Sequence, residues 1–123
     1  SDRIHFPGYV AHADLAAVYS SAQAFVYPSL YEGFGLPCLE AMSCEIPVVA
    51  SDISSLPEIL SDCALLVDPL SVDAIAEGLR MICSDADLRK NLAENGIRRA
   101  SRFSWLSTAK KTRDVYIRAG KET

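Results

Sequence analysis

The chain has 123 residues, half of them apolar and 23% charged, with a net charge of −4. This length allows one domain at most, burying roughly two thirds of its unfolded surface, and the composition is ordinary for a soluble globular protein. The acidic balance gives no electrostatic reason to expect nucleic acid or a membrane surface as partner, and no apolar run approaches the ~20 residues of a membrane span.

No signal peptide opens the chain, and Ser1-Asp2-Arg3 leads without an initiator methionine into an apolar segment, so a piece of something longer is expected. Ile4-His5-Phe6 reads as a short strand ended by Pro7-Gly8. Asp14 reads as the N-cap of a helix through Leu15, Val18 and Tyr19. Three apolar runs follow, Ala24 to Tyr27, Ile46 to Ala50 and Ala64 to Val67. They are continuous rather than alternating, as in strands buried on both faces of a parallel sheet. Helical segments separate them, so the order is βαβαβ and the fold is α/β, a parallel, doubly wound sheet flanked by helices.

Between the first two runs lies YPSLYEGFGLPCLE, Tyr27 to Glu40, in which Glu32 and Glu40 are separated by seven residues that include Gly33-Phe34-Gly35. The strand stops at Pro28 and a helix begins at Leu36 or Pro37, where proline's missing N–H costs nothing. The loop thus sits at the carboxyl end of a strand and the amino end of a helix. There, open α/β sheets bind ligands, and unpaired N–H groups with the helix dipole attract anions. Gly33 and Gly35 let the backbone approach a ligand closely, and Glu40, about one turn in, leans back toward the mouth that Glu32 flanks. The two acids would frame N–H donors of Phe34, Gly35 and Leu36, an arrangement suited to hydroxyls on one part of a ligand and phosphate on another. Carboxylates near a helix start are also common without any ligand.

Farther on, Ser55-Leu56-Pro57-Glu58 has capping-box spacing, so Glu58 reads as a cap of its own helix. After Asp68-Pro69 only helices are expected: one capped by Ser71, one by Ser84 or Asp85, and a last one starting at Ser104 with Trp105, Val115 and Tyr116. Arg98, Arg99, Arg102, Lys110, Lys111 and Arg113 read as a solvated basic face. Cys38, Cys44, Cys63 and Cys83 lie in apolar or helical contexts and form no Cys-x-x-Cys pair, so buried reduced thiols are expected. His5 and His12 are isolated, and no metal site is expected.

EGFGLPCLEAM, with PSL before it and IPVVAS after it, resembles the signature of the retaining glycosyltransferases of two-Rossmann-domain (GT-B) architecture, family 4 or group 1. The likeness runs from Phe6-Pro7-Gly8-Tyr9-Val10 through Leu56-Pro57-Glu58 and Leu65-Leu66-Val67-Asp68-Pro69 to Phe103-Ser104-Trp105. It implies that residues 1–123 are a partial C-terminal, nucleotide-sugar-binding domain, with the N-terminal acceptor domain and the start of this domain absent. The implied reaction moves a sugar from a nucleoside-diphosphate sugar to an acceptor hydroxyl with retention, with no cofactor or metal required. Glu32, the catalytic residue, would contact donor-sugar hydroxyls near the reacting centre, and Glu40 would hold the ribose hydroxyls. Gly33, Phe34, Gly35 and Leu36 would bind the donor, while Tyr31 and Glu58 would line the cleft. The basic pair that neutralises the diphosphate in the family would precede Ser1, so the chain alone should bind donor weakly and turn over nothing. Where the family usually has glycine before its Pro-Val-Val strand, this chain has Glu45, at a left-handed C-cap that costs a glutamate ~1 kcal/mol.

The missing first strands would leave an unpaired sheet edge, so a homodimer or exposed apolar surface is expected. A cytoplasmic location is expected, with the membrane periphery an alternative for the full-length protein. A non-catalytic nucleotide-sugar-binding module with the same fold and an unrelated α/β enzyme such as a sugar-phosphate epimerase remain alternatives. The absence of an early Gly-x-Gly-x-x-Gly argues against a dinucleotide version of the latter.

Overall fold

A computed structural model describes residues 3–121. Three strands, β1 (Phe25–Tyr27), β2 (Val48–Ser51) and β3 (Leu65–Val67), form one parallel sheet in the order β1-β2-β3, with Phe25 opposite Val48 and Val49 opposite Leu65. Six helices accompany them: α1 (His12–Ser21), α2 (Leu36–Ser43), α3 (Leu56–Leu60), α4 (Val72–Ser84), α5 (Ala86–Ala100) and α6 (Trp105–Ala119). A 3₁₀ turn, Ser61–Cys63, follows α3.

Strand alternation sorts the core into two layers. Val48 and Ala50 point to the face packed by Cys38, Leu39 and Met42 of α2 and by Leu56 and Leu60 of α3. Val49 and Val67 point to the other face, against Ile82 of α4 and Leu92 of α5. Only β2 is buried along its whole length; β1 and β3 are its half-covered flanks. The continuous apolar pattern thus foretold position in a parallel sheet, with full burial reserved for the centre. Helices cover both faces, yet the three strands run in one direction of order, so the reversal of a doubly wound sheet is not among them. Helix α5 ties the layers together. Its Gly96 lies against Met42, where an added Cβ would come within 3.0 Å of the methionine Cγ, while its Ala100 joins the α2 layer.

The anticipated caps of the later helices form. Ser71 accepts from the Ala74 N–H at 3.1 Å, Asp85 from Leu88 at 2.8 Å and Ser104 from Ser107 at 3.1 Å. Helix α2 ends in a Schellman motif: Glu45 N–H bonds the Met42 carbonyl at 3.0 Å and Ile46 N–H the Ala41 carbonyl at 3.1 Å. Glu45 is held at φ 59°, the left-handed conformation expected of it.

Several expectations fail for identifiable reasons. Ile4-His5-Phe6 is no strand, because no neighbouring strand offers these exposed residues a ladder. Asp14 is not the N-cap: the chain turns in at Ala11, and Asp14 sits in the first turn with its N–H bonded to the Ala11 carbonyl. The Ser55/Glu58 capping box does not form, since the Ser55 hydroxyl donates instead to the Glu32 carbonyl at 2.9 Å. Arg99 is not part of a solvated face. It donates to the carbonyls of Ile59 and Glu58, both at 2.8 Å, and lies 5.3 Å from the Phe103 ring centre. Finally, all four thiols are free, but only Cys38 and Cys63 are buried, Cys44 is half-buried, and Cys83 is exposed on α4. Burial pushes the Cys38 thiol up to about 12.

Candidate functional site

The loops that follow β1 and β2 are stitched together at the carboxyl end of the sheet. Ser51, fully buried at the end of β2, donates to the Ser29 carbonyl at 2.6 Å. Ser54 accepts from the Glu32 N–H at 3.2 Å and donates back to the Glu32 carbonyl at 2.8 Å, the carbonyl that Ser55 also serves. The peptide of Glu32 is therefore fixed from the neighbouring loop.

The Glu32 side chain is fixed as well. Its Oε1 accepts from the Tyr27 hydroxyl at 2.6 Å and from the Ser29 hydroxyl at 2.8 Å. These two donors, Tyr27 foremost, hold its carboxyl below the usual carboxylate range, so it stands ionised at neutral pH. The same bond, with burial, pushes the Tyr27 phenol up to about 12. Glu40 accepts from the Tyr19 hydroxyl at 3.2 Å, and burial followed by the Glu40 charge raises that phenol to about 12. Both tyrosines belong to one aromatic row: Tyr19 meets Phe25 edge-on at 5.3 Å, and Phe25 stacks on Tyr27 at 5.7 Å. The two acids are thus anchored to a single row on the α2 face of the sheet.

Between them the chain turns sharply. Gly35 adopts φ 90° at the start of α2, and an added Cβ would meet Leu56 Cδ2 at 2.5 Å, so glycine is required there by the turn and by α3. Gly33 faces open space. Among the described residues the N–H groups of Phe34, Gly35 and Leu36 donate to no protein acceptor. Three donors at a helix start are thus left for solvent or ligand.

Beside this turn a cavity of about 490 Å³ is walled by Phe34, Leu36, Leu39, Glu40, Phe103 and Trp105, among others. A second of about 250 Å³ lies on the other side of Glu40 and Ser43, walled by His12, Leu15 and Tyr19. Phe34, Leu36 and Glu40 therefore meet at one cavity. Glu32, Gly33 and Gly35 lie in the loop outside its wall, and neither Tyr31 nor Glu58 lines either cavity. Tyr31 is largely exposed, and Glu58 is exposed on α3. The sequence assigned Tyr19, Tyr27, Ser29, Ser54 and Ser55 no part in the site, although they hold its two acids and the loop between the strands. A tyrosine in an otherwise apolar strand is the one signal that calls for a polar partner. Among the described residues no three of His, Cys, Asp and Glu gather as metal ligands would, and no helix is long and apolar enough to cross a membrane.

The comparisons with known proteins converge. The family model described as "Glycosyl transferases group 1" matches residues 1–99. The chain is 45% identical over 113 residues to an O-antigen chain mannosyltransferase B from Escherichia coli, covering 92% of this chain and 30% of that protein. Among solved structures it is similar to a sucrose-phosphate synthase from Thermosynechococcus elongatus, with a TM-score of 0.88 and 34% identity over 99% of this chain and 31% of that one. It is also similar to the C-terminal domain of a glycosyl transferase group 1 family protein (LpcC) from Francisella tularensis, with a TM-score of 0.70 and 37% identity over 79% of this chain and 51% of that one. The chain thus spans under a third of the mannosyltransferase's length.

Proposed function

Because this chain belongs to the group 1 glycosyl transferases, we propose that it is the donor-binding part of a retaining enzyme that moves a sugar from a nucleoside-diphosphate sugar to an acceptor hydroxyl. The observation that carries the reading is the turn itself: three unused N–H donors at the start of α2, flanked by two acids that one aromatic row holds in place.

In such a transfer the bond from the anomeric carbon to the diphosphate oxygen breaks, a bond to the acceptor oxygen forms, and the acceptor gives up its proton. Positive charge gathers on the sugar while negative charge grows on the departing diphosphate. Fixed donors near that diphosphate lower the barrier most. The N–H groups of Phe34, Gly35 and Leu36 take that role. Glu40, an acceptor-only group when ionised, takes the vicinal ribose hydroxyls, with the adjoining apolar cavities left for the rest of the nucleoside. Glu32, ionised and pinned, accepts from hydroxyls of the donor sugar. Its lowered pKa fits an acceptor rather than a proton donor. No metal is assigned a role.

The acceptor is assigned to an N-terminal domain outside this chain, so the chain alone binds donor without turning it over. The name of the E. coli relative makes mannosyl the first sugar to test. The proposed place of action is the cytoplasm, with the membrane periphery the alternative for the full-length protein.

The test is titration of the ¹⁵N-labelled chain with UDP, GDP and ADP. One nucleotide should shift the Phe34, Gly35 and Leu36 amides, and Glu40→Ala should weaken that response about tenfold or more, the loss of a hydrogen bond to a charged group. No shift at those amides with any of the three would refute the assignment. A non-catalytic module would bind equally well, and retention of transfer by Glu32→Ala in the full-length protein would favour a role for Glu32 in structure alone.

A further inference from the structure

Both hydrogen bonds to the Glu32 carboxylate end on the same oxygen. Tyr27 and Ser29 donate to Oε1 at 2.6 and 2.8 Å, and among the described residues no hydrogen bond ends on Oε2. With Oε1 doubly served inside the protein, the acceptor capacity of Oε2 is left for solvent or a ligand. The backbone beneath it is secured at both polar atoms by Ser54 and Ser55, and Ser54 itself is held at φ 61°, a left-handed conformation uncommon for serine. Strain of that kind persists where surrounding contacts over-determine it. Buried Ser51 fixes the Ser29 carbonyl and with it the residue that carries the second donor. Five hydroxyls thus converge on one acid and its immediate support.

We propose that Tyr27 and Ser29 are positioning residues for the transfer: they clamp Oε1 of Glu32 so that Oε2 alone is aimed at a hydroxyl of the donor sugar. This rests on the donor-binding reading above and adds how the acid is oriented. Neither residue touches substrate in this assignment. The tyrosine hydroxyl is held in place by its ring, stacked on Phe25 in half-covered β1, and the serine by the loop that Ser51 anchors. The clamp also favours the ionised form of Glu32, since both donors lower its pKa, Tyr27 foremost.

Tyr27→Phe keeps the ring and removes the hydroxyl; Ser29→Ala removes the other donor without touching the aromatic row. In the full-length protein each should lower kcat between about 10- and 100-fold, the cost of a misplaced group, while the donor KM stays within about twofold. The acid limb of the kcat/KM profile should move to higher pH. In ¹³C-detected titrations of this chain the Glu32 carboxyl midpoint should rise in both variants. Unchanged kcat and an unmoved acid limb in both would overturn the clamp, as would a Glu32 midpoint that stays at the wild-type value. Glu32→Gln in the full-length protein separates the two levels. Full transfer by that variant removes the role of Glu32 itself, whereas loss of transfer there with wild-type behaviour in Tyr27→Phe and Ser29→Ala removes only the clamp.

Discussion

Replacing Glu45 by glycine should make the domain more stable. The residue sits at φ 59° with both bonds of its Schellman motif made, so the backbone is already in the geometry glycine prefers. An L-residue in that region carries roughly 1–2 kcal/mol of steric cost. Glycine removes it but loses about 0.5–1 kcal/mol through the greater freedom of the unfolded chain. The net gain is about 1 kcal/mol. With an unfolding entropy of about 2.1 cal/mol/K per residue, a chain of 123 residues should melt about 4 °C higher. Thermal unfolding followed by circular dichroism measures it, with urea midpoints at unchanged m as the second reading. Glu45→Ala is the control, since it removes the same exposed carboxylate and keeps a Cβ in the left-handed region. A glycine variant that melts no higher than wild type or the alanine control would show that backbone strain at Glu45 is not what limits this corner.

Two further outcomes follow from the same contacts. Arg99→Ala strips charged donors from the carbonyls of Ile59 and Glu58 and should cost about 1.5–3 kcal/mol in urea unfolding, whereas Glu58→Ala, an exposed side chain, should stay within about 0.5 kcal/mol. The outer edge of β1 pairs with no described strand, and Phe6, Tyr9, Trp105 and Tyr116 stand exposed. The chain by itself should therefore form a concentration-dependent dimer in sedimentation; a monomer at every concentration would count against edge pairing.

The strands and the later helix caps were legible because each is decided locally. An uninterrupted apolar run has few places to go but a parallel sheet, and Ser71, Asp85 and Ser104 each find their acceptor geometry within one turn. Pro37 marked the start of α2 for the same reason. What escaped was set by distant partners. Ser55 had the spacing for a local cap, yet a carbonyl 23 residues earlier claimed its hydroxyl. Arg99 had the look of a solvated charge until α3 supplied two carbonyls from some 40 residues away. Ile4-His5-Phe6 had strand-like composition and no neighbour to pair with. The acids of the site were readable in the loop, but their two tyrosine anchors depend on strand and helix meeting in space, which spacing along the chain does not encode.

The uneven exposure of the thiols gives the domain a ready handle. At neutral pH a maleimide would find Cys38 sealed in the core and almost wholly protonated, while Cys83 stands open on α4, a helix packed on the sheet face opposite the aromatic row. With half-buried Cys44 replaced by serine, a fluorophore or spin label on Cys83 would report tumbling and assembly without crowding the turn where a nucleotide would be watched.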